Sequence, residues 1–357
     1  MGTAAEHRPE HATPRVIAHR GASGYRPEHS RAAYELAIEQ GADAIEPDVV
    51  VSADGELVLR HENALTDTTD VAEHPEFADR RTTKTIDGIE HTGWFAEDFT
   101  WEELLSLRLR ERIPALRPAN TAYADERMLR LEDLLAMLDG TEITLVAELK
   151  HPTYFASIGH SLAALFAERM RASGWADRPD RVVVECFEES VLHEVRARGV
   201  QAKLVYLMMA GESAPDLIER DGAAALTYRD QLLPGQLVRL RERGIDGISL
   251  SKGFLLEDGA DALIERMHGL GFDTFMFTLR PENAFLDERF RSAEDTSGDV
   301  GVTIDLAEHG IGTGRASVSW LAEHGRWQEE WRAVVSTGVR WVFADHPDLV
   351  RSLAEAD

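Results

Sequence analysis

Five side chains able to do acid–base and metal chemistry lie close together in the amino-terminal part of the chain. Each lies at or just past the end of an apolar run, and they are His19, Arg20, Glu46, Asp48 and His61. Two histidines, whose ordinary pKa is about 6.5, can take a proton from one atom and give one to another at neutral pH. Two carboxylates separated by one residue face the same side of a strand, where they repel each other unless a cation lies between them. Together with an arginine, this set is suited to cutting a phosphodiester beside a divalent cation.

Glu148 and Lys150 supply another carboxylate and another cation at the end of a later apolar run, Leu145–Ala147. Their spacing again puts both side chains on one face of a strand. Glu148 can complete the oxygen ligand set of one divalent cation, Mg2+ or Ca2+, and Lys150 can neutralise a phosphate. Each motif alone has a plainer explanation, such as an exposed carboxylate or a surface ion pair, so the prediction depends on their combination.

Eight short apolar runs must position these groups. The predicted strands are Arg15–Ala18, Ala44–Val50, Thr144–Leu149, Arg181–Phe187, Ala202–Leu207, Gly247–Ser251, Thr274–Leu279 and Trp341–Ala344. Most are continuously apolar, which is typical of parallel strands covered on both faces, and amphipathic stretches such as 30–40, 158–172 and 259–270 lie between them. The alternation predicts an α/β fold, a (β/α)8 TIM barrel, whose active site lies at the carboxyl ends of the strands. The run Leu57–Leu59 is a candidate ninth strand.

The segment from residue 62 to about residue 124 interrupts the alternation. It is polar and rich in threonine, and it then carries an aromatic patch of Trp94, Phe95, Phe99 and Trp101. A loop this long in a compact domain is normally functional or a subdomain. We predict a barrel domain over 14–357 with this insertion as a wall or cap of the active site; the alternative is an inert surface excursion. Residues 1–13 are predicted to be a disordered tail.

The composition excludes several partners. The chain has 357 residues and a formal net charge of −26, from 38 basic and 64 acidic side chains. Such a surface repels nucleic acid and anionic membranes, so we expect a small-molecule substrate, no nucleic acid and no stable membrane association; a homo-oligomer stays open. The single cysteine, Cys186, excludes an intramolecular disulfide. The sequence as it stands predicts a cytoplasmic protein, or a periplasmic or secreted one if a signal peptide has been removed.

Four later features of the sequence also carry predictions. Phe277, on the seventh strand, is a candidate for the pocket wall. Asp345, at the end of the eighth, either lines the pocket or caps the last helix, and the sequence favours the cap. Cys186 is predicted to be a small wall residue and not a nucleophile. The glycine-rich segment 310–314 lacks the strand-to-helix context of a nucleotide-binding loop, which favours a plain loop.

The ordered motifs resemble those of the glycerophosphodiester phosphodiesterase family. The resemblance runs from Arg15 along almost the whole chain, through His19-Arg20-Gly21, Pro27-Glu28-His29-Ser30, Glu46-Pro47-Asp48, His61-Glu62, Glu148-Leu149-Lys150 and Ala344-Asp345-His346-Pro347. The family usually has Asn-Thr where this chain has His29-Ser30, Asp where it has Glu62, and Trp where it has Phe277. These departures touch the loop and the substrate wall rather than the groups proposed for the chemistry.

The resemblance implies a (β/α)8 barrel with a small inserted subdomain, and it implies a role for each group. Glu46, Asp48 and Glu148 would hold one divalent cation, His19 and His61 would be the acid–base pair, and Arg20 and Lys150 would bind the phosphate. Glu28 would support the metal side of the site, and Phe277 would form part of the substrate wall.

The activity predicted in this way is metal-dependent hydrolysis of glycerophosphodiesters to sn-glycerol 3-phosphate and an alcohol. The attacking oxygen is either water or the substrate's own glycerol hydroxyl, the latter through a cyclic phosphate. Two alternatives are a phospholipase D-like lyase or lysophospholipase D acting on lipid head groups, and a non-catalytic phosphodiester-binding barrel. The acidic surface argues against the first, and competent residues at every proposed catalytic position argue against the second.

Overall fold

The computed structural model describes residues 13–293, 303–305 and 315–355. The predicted tail, apart from residue 13, and the glycine-rich segment 310–314 lie outside these residues. The described strands, in chain order, are β1 (Arg15–His19), β2 (Ala44–Glu46), β3 (Asp48–Val51), β4 (Leu57–Leu59), β5 (Thr82–Ile86), β6 (Ile89–Gly93), β7 (Thr144–Leu149), β8 (Val182–Cys186), β9 (Lys203–Met208), β10 (Gly247–Ser251), β11 (Asp273–Leu279), β12 (Thr303–Asp305), β13 (Arg315–Ser317) and β14 (Trp341–Ala344).

The helices lie between the strands. In chain order the described α-helices are α1 (Arg31–Glu39), α2 (Trp101–Ser106), α3 (Leu131–Leu138), α4 (Pro152–Ser157), α5 (Leu162–Ala172), α6 (Glu189–Ala197), α7 (Pro215–Asp221), α8 (Tyr228–Gln231), α9 (Pro234–Glu242), α10 (Lys252–Leu255), α11 (Ala260–Gly269), α12 (Val318–Ala322), α13 (Trp327–Val335) and α14 (Pro347–Glu355). The predicted helix at 30–40 begins where expected, because the Ser30 hydroxyl accepts a hydrogen bond from the backbone N–H of Ala33 at 3.0 Å. None of the described helices has the length and apolar character needed to cross a bilayer.

The parallel strands close into a barrel with eight strand positions, as predicted. Closure occurs because β2 pairs with β1 on one side and with β7 on the other. The second position is split into β2 and β3 by Pro47, which has no amide hydrogen to donate. Strand β4, the candidate ninth strand, pairs antiparallel with β3 and extends the sheet outside the barrel.

An apolar layer fills the barrel interior toward the amino ends of the strands. It consists of Ile17, Ala44, Val146, Val183, Val205, Phe275, Trp341 and Phe343. The rings of Phe275 and Trp341 stack with their centroids 5.5 Å apart. Because side chains alternate along a strand, the residue two positions after a member of this layer also faces the interior, nearer the carboxyl end. His19, Glu46 and Glu148 each stand two positions after such a member, so strand periodicity alone places them in the mouth.

The insertion over 62–124 contains the antiparallel hairpin β5–β6, helix α2 and several turns of 3-10 helix. Its aromatic residues Trp94, Phe95 and Phe99 are buried, and Phe99 packs edge-on against Phe77 with centroids 5.0 Å apart. Trp94 and Phe99 belong to the large apolar cluster that also contains residues of the barrel strands, and none of the three rings lines the central cavity of the barrel. The part of the insertion that approaches the site is instead a charged stretch that includes Arg112 and Arg117.

Candidate active site

A cavity of about 370 Å3 opens at the carboxyl ends of the barrel strands. Six of the predicted site residues line it, namely His19, Arg20, Glu46, His61, Glu148 and Phe277. The other two, Asp48 and Lys150, are buried beside Glu148. The structure therefore brings all eight predicted residues to one end of the barrel.

Three carboxylates converge at the base of this cavity. One oxygen each from Glu46, Asp48 and Glu148 lies within 4.8 Å of the others, and all three side chains are buried. The backbone N–H of Arg20 donates to Oε2 of Glu46 at 3.0 Å. Oε1 of Glu46 and Oδ1 of Asp48 have no hydrogen-bond partner among the described residues. Buried oxygens without donors suit a hard divalent cation, so the residues present fit the metal predicted from the sequence.

Burial and mutual repulsion shift the pKa values of these carboxyl groups in different directions. Burial raises the pKa of Glu46 well above its ordinary value, and the nearby Asp48 and Glu185 carboxylates raise it further. Burial also raises the pKa of Glu148 to about 8, against the opposing effect of Lys150. Burial acts on Asp48 in the same direction, but the neighbouring histidine and cations outweigh it and hold its pKa well below the ordinary value. A divalent cation would remove the repulsion that keeps protons on this cluster.

His19 is held by a buried carboxylate. Its Nδ1 lies 2.6 Å from Oδ1 of Asp345, whose Oδ2 accepts hydrogen bonds from Arg117 Nη2 at 2.7 Å and Arg280 Nε at 2.8 Å. We call these four residues the buried array. Burial and the nearby Arg20 lower the pKa of His19 to about 4, although Asp345 acts in the opposite direction. The Asp345 bond fixes the tautomer of the ring, so that Nε2 is the nitrogen left for chemistry.

The prediction that Asp345 caps the last helix is wrong. Its carboxylate is turned toward the barrel interior, where the two arginines and His19 bind it. Burial raises the pKa of Asp345, but Arg280 and Arg117 outweigh that effect and hold the pKa well below its ordinary value. Asp345 is therefore a charged partner of His19 at neutral pH.

His61 has a similar but more exposed support. Its Nδ1 pairs with Oε1 of Glu62. Arg112 binds Glu62 through Nη1 at 2.9 Å and Nη2 at 2.7 Å, and it binds Glu28 through Nε at 2.7 Å. We call His61, Glu62, Arg112 and Glu28 the rim array. Burial, followed by the cations Arg20 and Lys150, lowers the pKa of His61 to about 3.

Arg20 connects the rim array to the carboxylate cluster. Its Nη1 donates to Oε2 of Glu28 at 2.9 Å, and its Nε lies 3.1 Å from Oδ2 of Asp48. The unusual His29 contacts the same Asp48 oxygen through Nε2 at 3.1 Å, while its Nδ1 lies 2.8 Å from the hydroxyl of Tyr34. Since the Arg20 guanidinium also lines the cavity, it is placed to meet an anion there.

Aromatic side chains also line the cavity. The rings of Phe277 and Phe187 meet edge to face with centroids 5.7 Å apart. Phe285 lies under the Arg280 guanidinium at 4.6 Å, and Phe343 meets His19 edge-on at 6.3 Å. The cavity therefore combines apolar and charged lining groups.

Four charged residues of the site received no role from the sequence. Glu185 is buried and lines the cavity, and its Oε2 has no hydrogen-bond partner among the described residues. The strand spacing could have indicated Glu185, because it stands two positions after Val183 of the apolar layer, as Glu148 does after Val146. The two glutamates are register partners on neighbouring strands. Arg112, Arg117 and Arg280 lie in irregular segments, where no periodicity indicates which way a side chain points.

Comparison with known proteins agrees with this geometry. The sequence pattern of the glycerophosphoryl diester phosphodiesterase family matches residues 19–349, which is most of the chain. The chain belongs to that family. The resemblance found in the motifs is therefore confirmed, and the match covers both histidine arrays and the carboxylate cluster.

Other members of the family differ in how much of their length this chain matches. A glycerophosphodiester phosphodiesterase of Arabidopsis thaliana is 50% identical over 101 residues, which is 28% of this chain and 27% of that protein. One from Haemophilus influenzae is 26% identical over 340 residues, covering 83% of this chain and 88% of that protein. The fold is shared with an Oleispira antarctica phosphodiesterase solved with its product sn-glycerol 3-phosphate, at 18% identity and a TM-score of 0.60, covering 96% of this chain and 97% of that one.

Proposed function

We propose that the protein is an enzyme that hydrolyses glycerophosphodiesters to sn-glycerol 3-phosphate and an alcohol with the help of one divalent cation. The observation that carries the proposal is the convergence of three buried carboxylates with two carboxylate-held histidines at one cavity. Family membership supports it, as does the fold shared with the product-bound Oleispira enzyme. The chain spans only about a quarter of the Arabidopsis relative, so the activity is argued from this site and not carried over whole.

Glu46, Asp48 and Glu148 would hold the cation, either Mg2+ or Ca2+. Bound there, it would offset the charge that builds on the phosphoryl oxygens and polarise an oxygen ligand. Lys150 touches two of these carboxylates and does not line the cavity. We therefore assign Lys150 to balancing the charge of the cluster, and Arg20 to binding the phosphate directly.

His19 and His61 would share the proton transfers. Each is paired through Nδ1 with a carboxylate, which leaves Nε2 free to take a proton from the attacking oxygen or to give one to the leaving alcohol. The lowered pKa values keep both rings neutral at pH 7 before substrate binds. A bound phosphodiester anion adds negative charge beside both rings and raises both pKa values, which readies one of them to act as the acid.

The activity test uses purified full-length protein with glycerophosphocholine as the substrate. We expect release of sn-glycerol 3-phosphate with Mg2+ or Ca2+ and its loss when a chelator is added. Phosphorus NMR during turnover separates water attack, which gives the monoester directly, from attack by the glycerol hydroxyl, which gives a transient cyclic phosphate. A folded sample that releases no product with either metal would contradict the proposal, and a cyclic phosphate as the end product would favour the lyase alternative.

A further inference from the structure

A second, smaller cavity of about 150 Å3 adjoins the central one. The two share the side chains of His19, Arg20, Arg280 and Phe285. Four guanidinium groups line the smaller cavity, and for that reason we call it the arginine cavity; they are Arg20, Arg112, Arg117 and Arg280. Arg112 and Arg117 come from the insertion, so this part of the chain does build a wall next to the site.

The arginine cavity gathers four guanidinium groups in a protein whose formal net charge is −26. Three of its lining residues carry carboxyl groups, namely Glu28, Glu111 and Asp345. Three further carboxylates, which do not line the cavity, pair with its arginines; they are Asp48, Glu62 and Glu282. Most of the positive charge is therefore balanced, and binding of an anion depends on an arginine whose donors remain available.

Arg280 has terminal N–H donors that no described residue of this cavity accepts. Arg112 uses its nitrogens on Glu28 and Glu62, and Arg117 donates to Glu282, Asp345 and the Ser23 carbonyl. Arg280 donates through Nε to Asp345, whereas its two terminal nitrogens have no hydrogen-bond partner among the described residues. Its side chain retains 26% of its accessible surface. Two parallel N–H groups of a guanidinium match the two oxygens of a carboxylate or phosphate.

We propose that the arginine cavity binds an anionic group carried by the leaving alcohol, with Arg280 as its main ligand. The inference rests on the proposed function, because it names the class of glycerophosphodiester that the enzyme prefers. A volume of about 150 Å3 holds a group the size of benzene, which leaves room for a phosphate or a carboxylate. Because both cavities share His19, a leaving alcohol whose anionic group occupies the arginine cavity would lie near this ring.

Matched pairs of substrates test the preference. Glycerophosphoserine differs from glycerophosphoethanolamine by one carboxylate, and glycerophosphoglycerol phosphate differs from glycerophosphoglycerol by one phosphate. We expect kcat/KM to be about tenfold higher for the anionic member of at least one pair, and the pair that shows the preference identifies the anion. Equal values within both pairs would overturn this inference and leave the proposed function standing, whereas failure to hydrolyse any of the four would overturn the proposed function itself.

Two variants locate the preference in the arginine cavity. Arg280→Lys removes the paired donors, and Ile113→Trp fills the same cavity without changing any charge. Both should lower the ratio of kcat/KM within the preferred pair to about one. Arg266→Gln, an exposed arginine on α11, is the control and should keep the ratio. An equal loss for all four substrates in Arg280→Lys, with an unchanged ratio in both variants, would overturn the inference, because Arg280 would then bind the phosphate that is cut.

Discussion

The buried array around His19 and the rim array around His61 use the same kinds of side chain in opposite surroundings. In each, a carboxylate holds Nδ1 of the histidine and an arginine holds the carboxylate. The Asp345 side chain is 2% exposed, whereas Glu62 is 34% exposed. Charge pairs interact more strongly where water is excluded, so the orientation of His19 is fixed more firmly than that of His61.

The origin of the parts differs as well. His19 ends strand β1 and Asp345 follows strand β14, and these strands are hydrogen-bonded neighbours in the barrel. His61 and Glu62 follow β4, which lies outside the barrel. Each array takes one arginine from the insertion, Arg117 in the buried array and Arg112 in the rim array. In the proposed acid–base pair, the barrel strands position His19 and its carboxylate. The rim, where sequence variation is easier to accommodate, positions His61 and its carboxylate.

The largest effect should come from removing either ring. We expect His19→Ala and His61→Ala each to lower kcat by about 10³-fold, because each deletes one of the two proton transfers. Circular dichroism and melting temperature should stay close to those of the parent protein. His91→Ala, at an exposed histidine on β6, is the matched control.

Retention of activity in one of these variants would contradict the assignment of proton transfer to both histidines. It would leave a single histidine doing both proton transfers and would remove the other from the catalytic pair. A loss in the His91 control of similar size would instead point to a general effect of replacing histidine.

The two supporting carboxylates should differ in their effects. We expect Asp345→Asn to lower kcat by on the order of 10²-fold, because it loosens the His19 ring and leaves Arg117 and Arg280 short of a partner. Glu62→Gln should lower kcat by only about tenfold, since solvent screens this pair. Unfolding by denaturant should show a loss of about 3 kcal/mol for Asp345→Asn and less than about 1 kcal/mol for Glu62→Gln.

Rates measured at low and high salt sharpen this contrast. The effect of Glu62→Gln should shrink as salt is added, whereas that of Asp345→Asn should stay nearly constant, because buried pairs are screened less. Equal losses for the two variants at every salt concentration would show that exposure does not distinguish the arrays.

A smaller effect is expected on the pKa values of the two histidines, which should respond differently when Lys150 is replaced. Lys150 is among the cations that lower the pKa of His61, so Lys150→Met should raise that pKa above about 3. Burial and Arg20 are the main causes for His19, so its pKa should stay near 4. Histidine NMR signals followed against pH in metal-free protein measure both values. An equal upward shift of the two rings would contradict the separate surroundings described above.

The titrations also set the sign of a stability effect. Each ring is neutral in the folded metal-free protein down to pH about 4 or 3 but binds a proton near pH 6.5 when the chain is unfolded. Through these two rings the unfolded chain holds more protons between these values, so the histidine contribution to the free energy of unfolding falls as the pH is lowered through this window. The raised pKa values of Glu46 and Glu148 contribute with the opposite sign, because those carboxyl groups hold protons in the folded metal-free protein. Lys150→Met should narrow the pH range over which His61 contributes, because it brings the pKa of His61 in the folded protein closer to its value in the unfolded chain.

Strand periodicity and motif order predicted the fold and the centre of the site. The eight apolar runs gave the barrel, and the parity that places Glu46 and Glu148 inside it could be read directly from the spacing. The same spacing places Asp345 in the mouth of the barrel, since it stands two positions after Phe343 of the apolar layer. The supporting arginines could not be found this way. Arg117 meets Glu282 across 165 positions of the chain, and both lie outside the barrel strands. Asp345 was assigned to the last helix because a carboxylate just before His346-Pro347 looks like a helix start, and only the tertiary contacts show which partners it has.

The apolar layer inside the barrel has a kinetic consequence. The stacked rings of Phe275 and Trp341 and their neighbours fill the end of the barrel opposite the cavity mouth. In the proposed reaction, both products would then leave through the opening by which the substrate enters. Entry and departure therefore compete for one passage, and an accumulating phosphomonoester product would slow its own formation by occupying the place of the next substrate molecule.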